Sequence, residues 1–244
     1  MQTMIDMKSM IRAHTIVLSQ KQMRYLKIKR MLDLFFSAFA LIVLSPLMLL
    51  VAIGIKIESP HEPILFVQLR VGKDYKVFKL FKFRSMRSTA PKNAASGELE
   101  NPEEYITGFG KLIRMTSIDE LPQLINILRG DMSIIGPRPL VYTEREIRFL
   151  RRYYGLYQVR PGLSGMAQIN GRDYVSIYVK VAYDRKYMES IGFKADVKLV
   201  LKTIAVVLGR VGIIEGKHAN TEDEDKMLDL LLDEEQRRTE AVNI

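Results

Sequence analysis

Cysteine is absent from this chain of 244 residues, and histidine occurs only three times. The lack of cysteine excludes a disulfide-stapled scaffold and any thiolate-bound zinc or iron–sulfur site. The histidines are scattered, at His14, His61 and His218, and none has a triad partner near it in the sequence. A metal ion in this protein is therefore expected to be bound through oxygen.

Negative charge is also scarce, since 28 acidic residues face 37 basic ones and the formal net charge is +9. The imbalance is uneven: residues 1–30 hold seven bases and one acid, whereas residues 215–244 carry a net charge of −6. The residues before this acidic tail thus carry +15. Such a body favours a polyanionic partner, which means a nucleic acid, an anionic membrane or a phosphorylated substrate.

One stretch of the chain has no charged residue. Residues 34–55 read LFFSAFALIVLSPLMLLVAIGI, and about 22 apolar residues are enough to span a bilayer as a helix. Ser45 and Pro46 lie near the middle, where proline removes a helical hydrogen bond and favours a sharp bend. Each arm then reaches about halfway through the hydrocarbon core, which fits a re-entrant hairpin with both ends in the cytoplasm. A bitopic helix with a proline kink fits equally well, and a buried core helix is a third alternative.

The chain is predicted to divide into a basic amphipathic leader at 1–30, a membrane helix, re-entrant or bitopic, at 31–57, a cytosolic domain with interfacial helices at 58–214 and an acidic tail at 215–244. The tail carries a short apolar stripe that could dock on the domain or on a second subunit, so a homodimer is left open.

Within the cytosolic domain, the pattern predicts a β-hairpin with strands at 64–71 and 76–84 around the turn Gly72-Lys73-Asp74. Exposed or connecting loops are expected at 90–104 and 155–172. Helices are expected at 121–128, 142–154, 175–189 and 198–211, of which the last is amphipathic and could lie on the membrane. The predicted fold class is therefore α/β, more closely α+β, and mostly helical.

The chemically informative stretch is RMTSIDELPQLINILRGDMSIIGPRPL at 114–140. Asp119 and Glu120 are adjacent acids among several cations, which are expected to keep both carboxylates ionised. Paired carboxylates can bind Mg²⁺, and an ionised carboxylate can attack phosphorus to form an acyl phosphate. The segment from Ser117 to Glu120 is also a capping box, which would merely begin a helix. Pro122 favours a helix that begins later and leaves both acids on the preceding turn, so the residues alone leave both interpretations open.

Two further segments could bind phosphate. Gly136-Pro137-Arg138-Pro139 holds one arginine on a stiff extended support, although a surface turn would explain the prolines as well. In the strand predicted at 76–84, bases alternate with phenylalanines, which suits phosphate or a nucleotide base, but such a strand more often packs its aromatic face and solvates its lysines. The glycines at 108 and 110 lack the rest of a nucleotide-binding motif, so an ATPase or a dinucleotide-binding protein is not expected.

Four motifs together resemble those of the bacterial sugar transferases, small monotopic phosphoglycosyl transferases that start the assembly of polysaccharides and glycoprotein glycans. They are the uncharged stretch with its central Ser-Pro, KFRSM at 82–86, TSIDELPQLINILRGDMSIIGPRPL at 116–140 and RPGLSGMAQINGR at 160–172. The motifs occur in this order over residues 29–203.

The resemblance implies transfer of a sugar-1-phosphate from a UDP-sugar to undecaprenyl phosphate, with release of UMP and with Mg²⁺ as cofactor. The catalytic domain would lie on the cytoplasmic face of the bacterial inner membrane, and the product would enter exopolysaccharide or lipopolysaccharide synthesis. Asp119 would be the nucleophile of a ping-pong reaction through a covalent phosphosugar intermediate. Glu120 would be its dyad partner, and both carboxylates would hold the metal.

The resemblance also implies roles for residues around the dyad. The phosphates would be surrounded by Lys82, Arg84, Arg114, Pro137, Arg138, Pro139 and Arg172. Ser45 and Pro46 match the break that makes the family's membrane helix re-entrant, which places the active site at the level of the lipid phosphate.

Two other functions fit parts of the sequence. A membrane-tethered nucleic-acid-binding module would use the basic body for phosphate contacts and would be indifferent to Asp119. An inactive member of the family would serve as an assembly anchor. The intact Asp119, Glu120 and Pro-Arg-Pro favour the enzyme, for which no nucleic-acid partner is expected.

Overall fold

The computed structural model describes residues 15–91, 101–170 and 176–209. Its mixed α/β, mostly helical architecture confirms the predicted fold class. The helices and strands are α1 (Gln20–Glu58), β1 (Leu65–Val71), β2 (Val77–Phe83), α2 (Pro102–Tyr105), α3 (Gly108–Met115), α4 (Gln123–Arg129), β3 (Ser133–Ile135), β4 (Leu140–Val141), α5 (Arg145–Tyr153), β5 (Gly162–Ser164), α6 (Met166–Ile169), α7 (Ile177–Ser190) and α8 (Phe193–Gly209). Short 3-10 turns lie at Lys73–Tyr75, Ile118–Glu120 and Leu156–Gln158. The acidic tail and residues 1–14 of the leader lie outside the described residues.

Helix α1 is the one helix in the described part of the chain that is long and apolar enough to cross a membrane. A capping box of Ser19 and Gln22 begins it, so the helix includes the end of the predicted basic leader. It continues as a single helix through Pro46. The Ser45 hydroxyl donates to the Ile42 carbonyl at 2.8 Å, the acceptor that lacks its helical partner because Pro46 has no N–H. The re-entrant hairpin stays a prediction.

The two faces of α1 differ in what they contact. One stripe packs on the domain: Val51 and Ile55 are buried with Phe83 and Ile113, while Ala40 and Leu41 pack nearer the middle of the helix. The other face is exposed and apolar, with Phe35, Phe36, Phe39, Ile42, Val43, Leu49, Leu50 and Ile53. Only 11% of the most apolar 18-residue stretch of α1 is buried, whereas the core helix of a soluble protein is mostly buried.

A buried polar network joins the first half of α1 to the end of the domain. Lys29 Nζ lies 2.8 Å from Asp196 Oδ2 in α8, and the Tyr25 hydroxyl donates to the same oxygen at 2.7 Å. Tyr187 in α7 donates to the other oxygen of Asp196 at 3.1 Å. Asp33 accepts a hydrogen bond from the Ile134 amide in β3 at 3.0 Å. The base of α1 is therefore fixed to three elements of the domain.

The predicted β-hairpin is confirmed. β1 and β2 pair antiparallel from Leu65 opposite Phe83 to Val71 opposite Val77, and β4 adds to the other edge of β1. The connection is a 3-10 turn in which Asp74 has a positive φ of 54°. Because side chains alternate along a strand, Gln68 and Arg70 share a face with Lys82.

The loop predicted at 155–172 is wrong in part, because it contains a 3-10 turn, β5 and α6. β5 pairs parallel with β3, with Ser133 opposite Gly162 and Ile135 opposite Ser164. The backbones touch here: a Cβ on Gly162 would lie 2.1 Å from the Gly136 nitrogen. Three-residue strands held by backbone contact leave no side-chain pattern, which is why alternation did not predict them.

The four predicted helices are confirmed as α4, α5, α7 and α8, with shifted ends. Helix α3 was not predicted; Thr107 caps it, accepting from the Gly110 amide at 2.9 Å. Gly110 lies against the backbone of Ser85, since a Cβ there would be 2.1 Å from the Ser85 carbonyl oxygen, so this glycine has a packing role.

Candidate active site

Asp119 and Glu120 lie on the 3-10 turn that joins α3 to α4. Helix α4 begins only at Gln123, with Pro122 in the N-cap position. Ser117 adopts a left-handed backbone with φ 56°, and its side chain makes no capping hydrogen bond. The capping-box interpretation is therefore wrong, and both acids lie on the turn before the helix. A non-glycine residue in this conformation stores strain, which is typical of functional sites.

The two carboxylates line different cavities. Asp119 lines a cavity of about 70 Å³ next to the hairpin, which we call the cationic pocket. Glu120 lines a cavity of about 300 Å³ between the turn and α8, which we call the apolar groove. A small third cavity shares Arg70 and Lys82 with the cationic pocket, and Glu120 and Arg138 with the apolar groove. The dyad therefore lies where two separate spaces meet.

The cationic pocket is rich in positive charge. Its polar lining consists of Gln68, Arg70, Lys82, Arg84, Ser85, Arg87, Ser88, Arg114 and Asp119. Arg84 is held by two residues that do not line the pocket. Its Nε donates to the Pro63 carbonyl at 2.8 Å, and its Nη1 lies 3.7 Å from Glu62 Oε2. Several cations around one carboxylate suit a ligand with more than one phosphate.

Lys82 connects the hairpin to the dyad. Its Nζ lies 2.7 Å from Glu120 Oε1, and both side chains are about one-fifth exposed. Lys82 lines the pocket of Asp119 as well. The ammonium group thus neutralises one carboxylate and lies close to the other.

Burial raises the pKa of the Asp119 carboxyl above its ordinary value. The charge of Glu120 adds to the rise, whereas Lys82, Arg114 and Arg138 oppose it. Only 7% of Asp119 is exposed, so desolvation outweighs the attraction of the cations in setting the direction of the pKa shift. The prediction that the cations keep both carboxylates ionised stays a prediction. A carboxylate with a raised pKa is a better nucleophile once it is ionised.

The Pro137-Arg138-Pro139 segment joins β3 to β4, and its backbone is held at every carbonyl. The Gly162 amide donates to the Pro137 oxygen at 2.9 Å, and Arg70 Nη1 donates to the Pro139 oxygen at 3.0 Å. The oxygen of Arg138 accepts from Arg151 Nη1 at 2.6 Å. The Arg138 side chain lines the apolar groove beside Glu120. The rigid support predicted for this arginine is therefore present.

Arg151 is itself held by a buried acid. Its Nε and Nη2 lie 2.8 and 2.6 Å from Asp184 Oδ2 in α7, and both side chains are almost fully buried. This pair fixes α5 and α7 behind the Arg138 backbone.

Most of the predicted site residues come together. Lys82, Arg84, Arg114, Asp119, Glu120, Arg138 and Pro139 line the three cavities, and Pro137 fixes the backbone. Arg172 lies outside the described residues. Ser45 and Pro46 lie in α1 and line none of these cavities.

Asp119 and Glu120 could supply part of the ligand shell of a Mg²⁺ ion. Within the described residues, no group of three or more acids, histidines or cysteines could enclose a metal ion. Mg²⁺ commonly binds through one or two carboxylates and completes its shell with water and substrate phosphates. Asp119 and Glu120 offer such carboxylates beside the cationic pocket.

The cationic pocket also contains three residues that were not predicted from the sequence, namely Gln68, Arg70 and Arg87. The first two could have been found from strand alternation, since Phe66, which shares their face of β1, pairs with Lys82. Arg87 lies beyond β2 in irregular backbone, where no pattern indicates its direction.

Comparison with known proteins identifies close relatives. The chain matches the bacterial sugar transferase family over residues 24–210. It is 40% identical over 196 residues to the UDP-N-acetylgalactosamine-undecaprenyl-phosphate N-acetylgalactosaminephosphotransferase of Aeromonas hydrophila, which covers 77% of this chain but 45% of that protein. It is 39% identical over 197 residues to the exopolysaccharide production protein ExoY of Sinorhizobium fredii. That alignment covers 75% of this chain and 86% of ExoY. It is 38% identical over 189 residues to the UDP-glucose:undecaprenyl-phosphate glucose-1-phosphate transferase of Caulobacter vibrioides. That alignment covers 74% of this chain and 69% of the Caulobacter protein.

Proposed function

Because this chain belongs to the bacterial sugar transferase family, we propose that it transfers a sugar-1-phosphate from a UDP-sugar to undecaprenyl phosphate and releases UMP. The Aeromonas and Caulobacter relatives are named for this reaction with different sugars. The observation that carries the proposal is the position of Asp119, a buried carboxylate on a strained turn within a pocket of cations.

The reaction proceeds in two steps. An oxygen of the Asp119 carboxylate attacks the phosphorus next to the sugar, a new P–O bond forms, and the bond to UMP breaks with its electron pair leaving on UMP. The resulting acyl phosphate carries the sugar. A phosphate oxygen of undecaprenyl phosphate then attacks the same phosphorus, and the bond to Asp119 breaks to restore the carboxylate. Each step exchanges one P–O bond for another.

The residues around Asp119 divide the remaining work. Lys82, Arg114 and the other cations of the pocket stabilise the charge on the departing UMP and on the transferred phosphoryl group. Glu120, held by Lys82, takes a proton from the lipid phosphate if it arrives protonated. Asp119 and Glu120 would hold Mg²⁺ together with the substrate diphosphate, and the ion supplies charge neutralisation there.

The enzyme works at a membrane surface on this proposal. The exposed apolar face of α1 supports membrane attachment. The match of Ser45 and Pro46 to the break in the family's membrane helix is the reason to propose a re-entrant rather than a bitopic helix. The catalytic domain then lies on the cytoplasmic face of the inner membrane, where UDP-sugars are available. The product is a lipid-linked sugar for exopolysaccharide or lipopolysaccharide assembly.

The test is UMP release by detergent-solubilised protein from a panel of UDP-sugars with Mg²⁺, with and without undecaprenyl phosphate. We expect one UDP-sugar to give lipid-dependent UMP, and Asp119→Asn to abolish it. Without lipid, the wild type should release at most about one UMP per enzyme and retain labelled sugar phosphate on the protein. No UMP from any sugar with folded wild-type protein, or full turnover by Asp119→Asn, would contradict the proposal.

A further inference from the structure

The apolar groove is lined by aliphatic side chains from two sides. Val200, Ile204 and Val207 of α8 form one wall, and Ile118, Leu163 and Ile169 lie on the other. The groove, at about 300 Å³, is larger than the cationic pocket and shares none of that pocket's cations, since its charged lining residues are Glu120 and Arg138. It is therefore poorly suited to the polar uridine diphosphate group and well suited to a hydrocarbon chain.

Two charged residues of the candidate active site line the groove. Glu120 of the dyad and Arg138 of the Pro-Arg-Pro segment line it. Both also line the small third cavity, which shares Lys82 with the pocket of Asp119. A ligand in the groove can thus place one end beside the dyad without entering the cationic pocket.

The outer surface of α8 is apolar as well. Leu201 is 62% exposed and does not line the groove, while Ile204 is 49% exposed and does. The groove therefore adjoins a surface that is compatible with lipid. A hydrocarbon chain can pass from that surface into the groove without crossing water.

We propose that the apolar groove binds the isoprenoid units of the acceptor lipid nearest its phosphate, with Arg138 contacting that phosphate. The inference rests on the proposed function. An anion on a branched hydrocarbon chain matches one arginine at the edge of an aliphatic groove. Donor and acceptor then occupy separate spaces that meet at Asp119 and Glu120, so the lipid reaches the phosphosugar without displacing groups bound in the cationic pocket.

The test compares two substitutions of equal chemistry on the same helix. Ile204→Gln places an amide in the groove, whereas Leu201→Gln places one on the neighbouring exposed surface. We expect Ile204→Gln to raise the KM for undecaprenyl phosphate about tenfold or more. Leu201→Gln should change it less than about threefold. The amount of UMP released per enzyme without lipid should be unchanged in both variants, because the donor binds elsewhere.

A second measurement does not depend on turnover. Native mass spectrometry of the wild type in detergent should show bound undecaprenyl phosphate, which Ile204→Gln loses and Leu201→Gln retains. The groove assignment would be overturned if Ile204→Gln retained as much bound undecaprenyl phosphate as the wild type. It would also be overturned if Leu201→Gln lost as much lipid as Ile204→Gln, because a general effect on the membrane-facing surface would then explain both losses. If no UDP-sugar releases UMP but this binding pattern holds, the proposed reaction fails while the lipid site stands.

Discussion

Lys82 Nζ lies 2.7 Å from Glu120 Oε1, so a strand of the hairpin and the turn that carries the dyad share one ion pair. The same ammonium is the strongest of the attractive charges that lower the pKa of Asp119 against the effect of burial. The sheet and the turn that carries Asp119 and Glu120 are therefore electrostatically coupled as well as packed together.

Replacing Lys82 should shift the pH dependence of the reaction. In Lys82→Met the pKa of Asp119 rises further, since an opposing charge is lost, and the acid limb of the pH profile moves to higher pH. We expect UMP release at pH 7 to fall by about 10²–10³-fold. Lys82→Arg keeps the charge and should leave the acid limb close to its wild-type position. An unshifted limb in Lys82→Met would contradict the coupling.

Asp119→Asn should remove activity and increase stability. The pKa of the Asp119 carboxyl is higher in the folded protein than its value of about 4 in the unfolded chain. The carboxyl therefore favours folding below the unfolded-state pKa, and this contribution is lost as the pH rises through the folded-state pKa. The wild type therefore carries an ionisation cost at pH 7 that the asparagine variant lacks. We expect a higher Tm for Asp119→Asn at pH 7, a difference that shrinks toward pH 4, and UMP release reduced at least about 10³-fold. The exposed Asp74→Asn is the control and should change neither quantity.

Arg151→Met should destabilise the protein by about 3–5 kcal/mol, because it leaves Asp184 buried without its partner. It also frees the Arg138 carbonyl, so the activity of the remaining folded protein should fall. Arg145→Met, at an exposed position of the same helix, should stay within about 0.5 kcal/mol of the wild type. Chemical denaturation measures both. If Arg151→Met were as stable as Arg145→Met, the pair would not fix the site.

The Ser45 hydroxyl should matter only while Pro46 is present. Ser45→Ala leaves the Ile42 carbonyl without a partner in an apolar helix, which should cost about 1–3 kcal/mol. In Ser45→Ala/Pro46→Ala the backbone amide of residue 46 can bond to that carbonyl, so stability should return. Thermal unfolding in detergent compares the two variants. Equal stability of Ser45→Ala and the wild type would show that the carbonyl needs no partner from Ser45.

The sequence predicted the parts of this molecule that depend on side-chain pattern. The hairpin followed from alternation, and Pro122 correctly indicated that the acids precede helix α4. The pattern did not predict β5, because Gly162 acts through the absence of a side chain where two backbones touch.

Electrostatics was harder to predict than position. The cations around Asp119 were visible in the sequence, but the extent of its burial was not, and burial decides the direction in which its pKa moves. The division of the dyad between two cavities could not be predicted either, since it depends on how α8 packs beside the turn.

The ion pair between Lys29 and Asp196 bears on how the protein is made. Helix α1 is synthesised long before Asp196, so the Lys29 ammonium group lacks its Asp196 partner during that interval. Only when α8 arrives can the charge be buried, and its burial joins the last described helix to the first. The contact that joins α1 to the domain therefore forms only after α8 has been made.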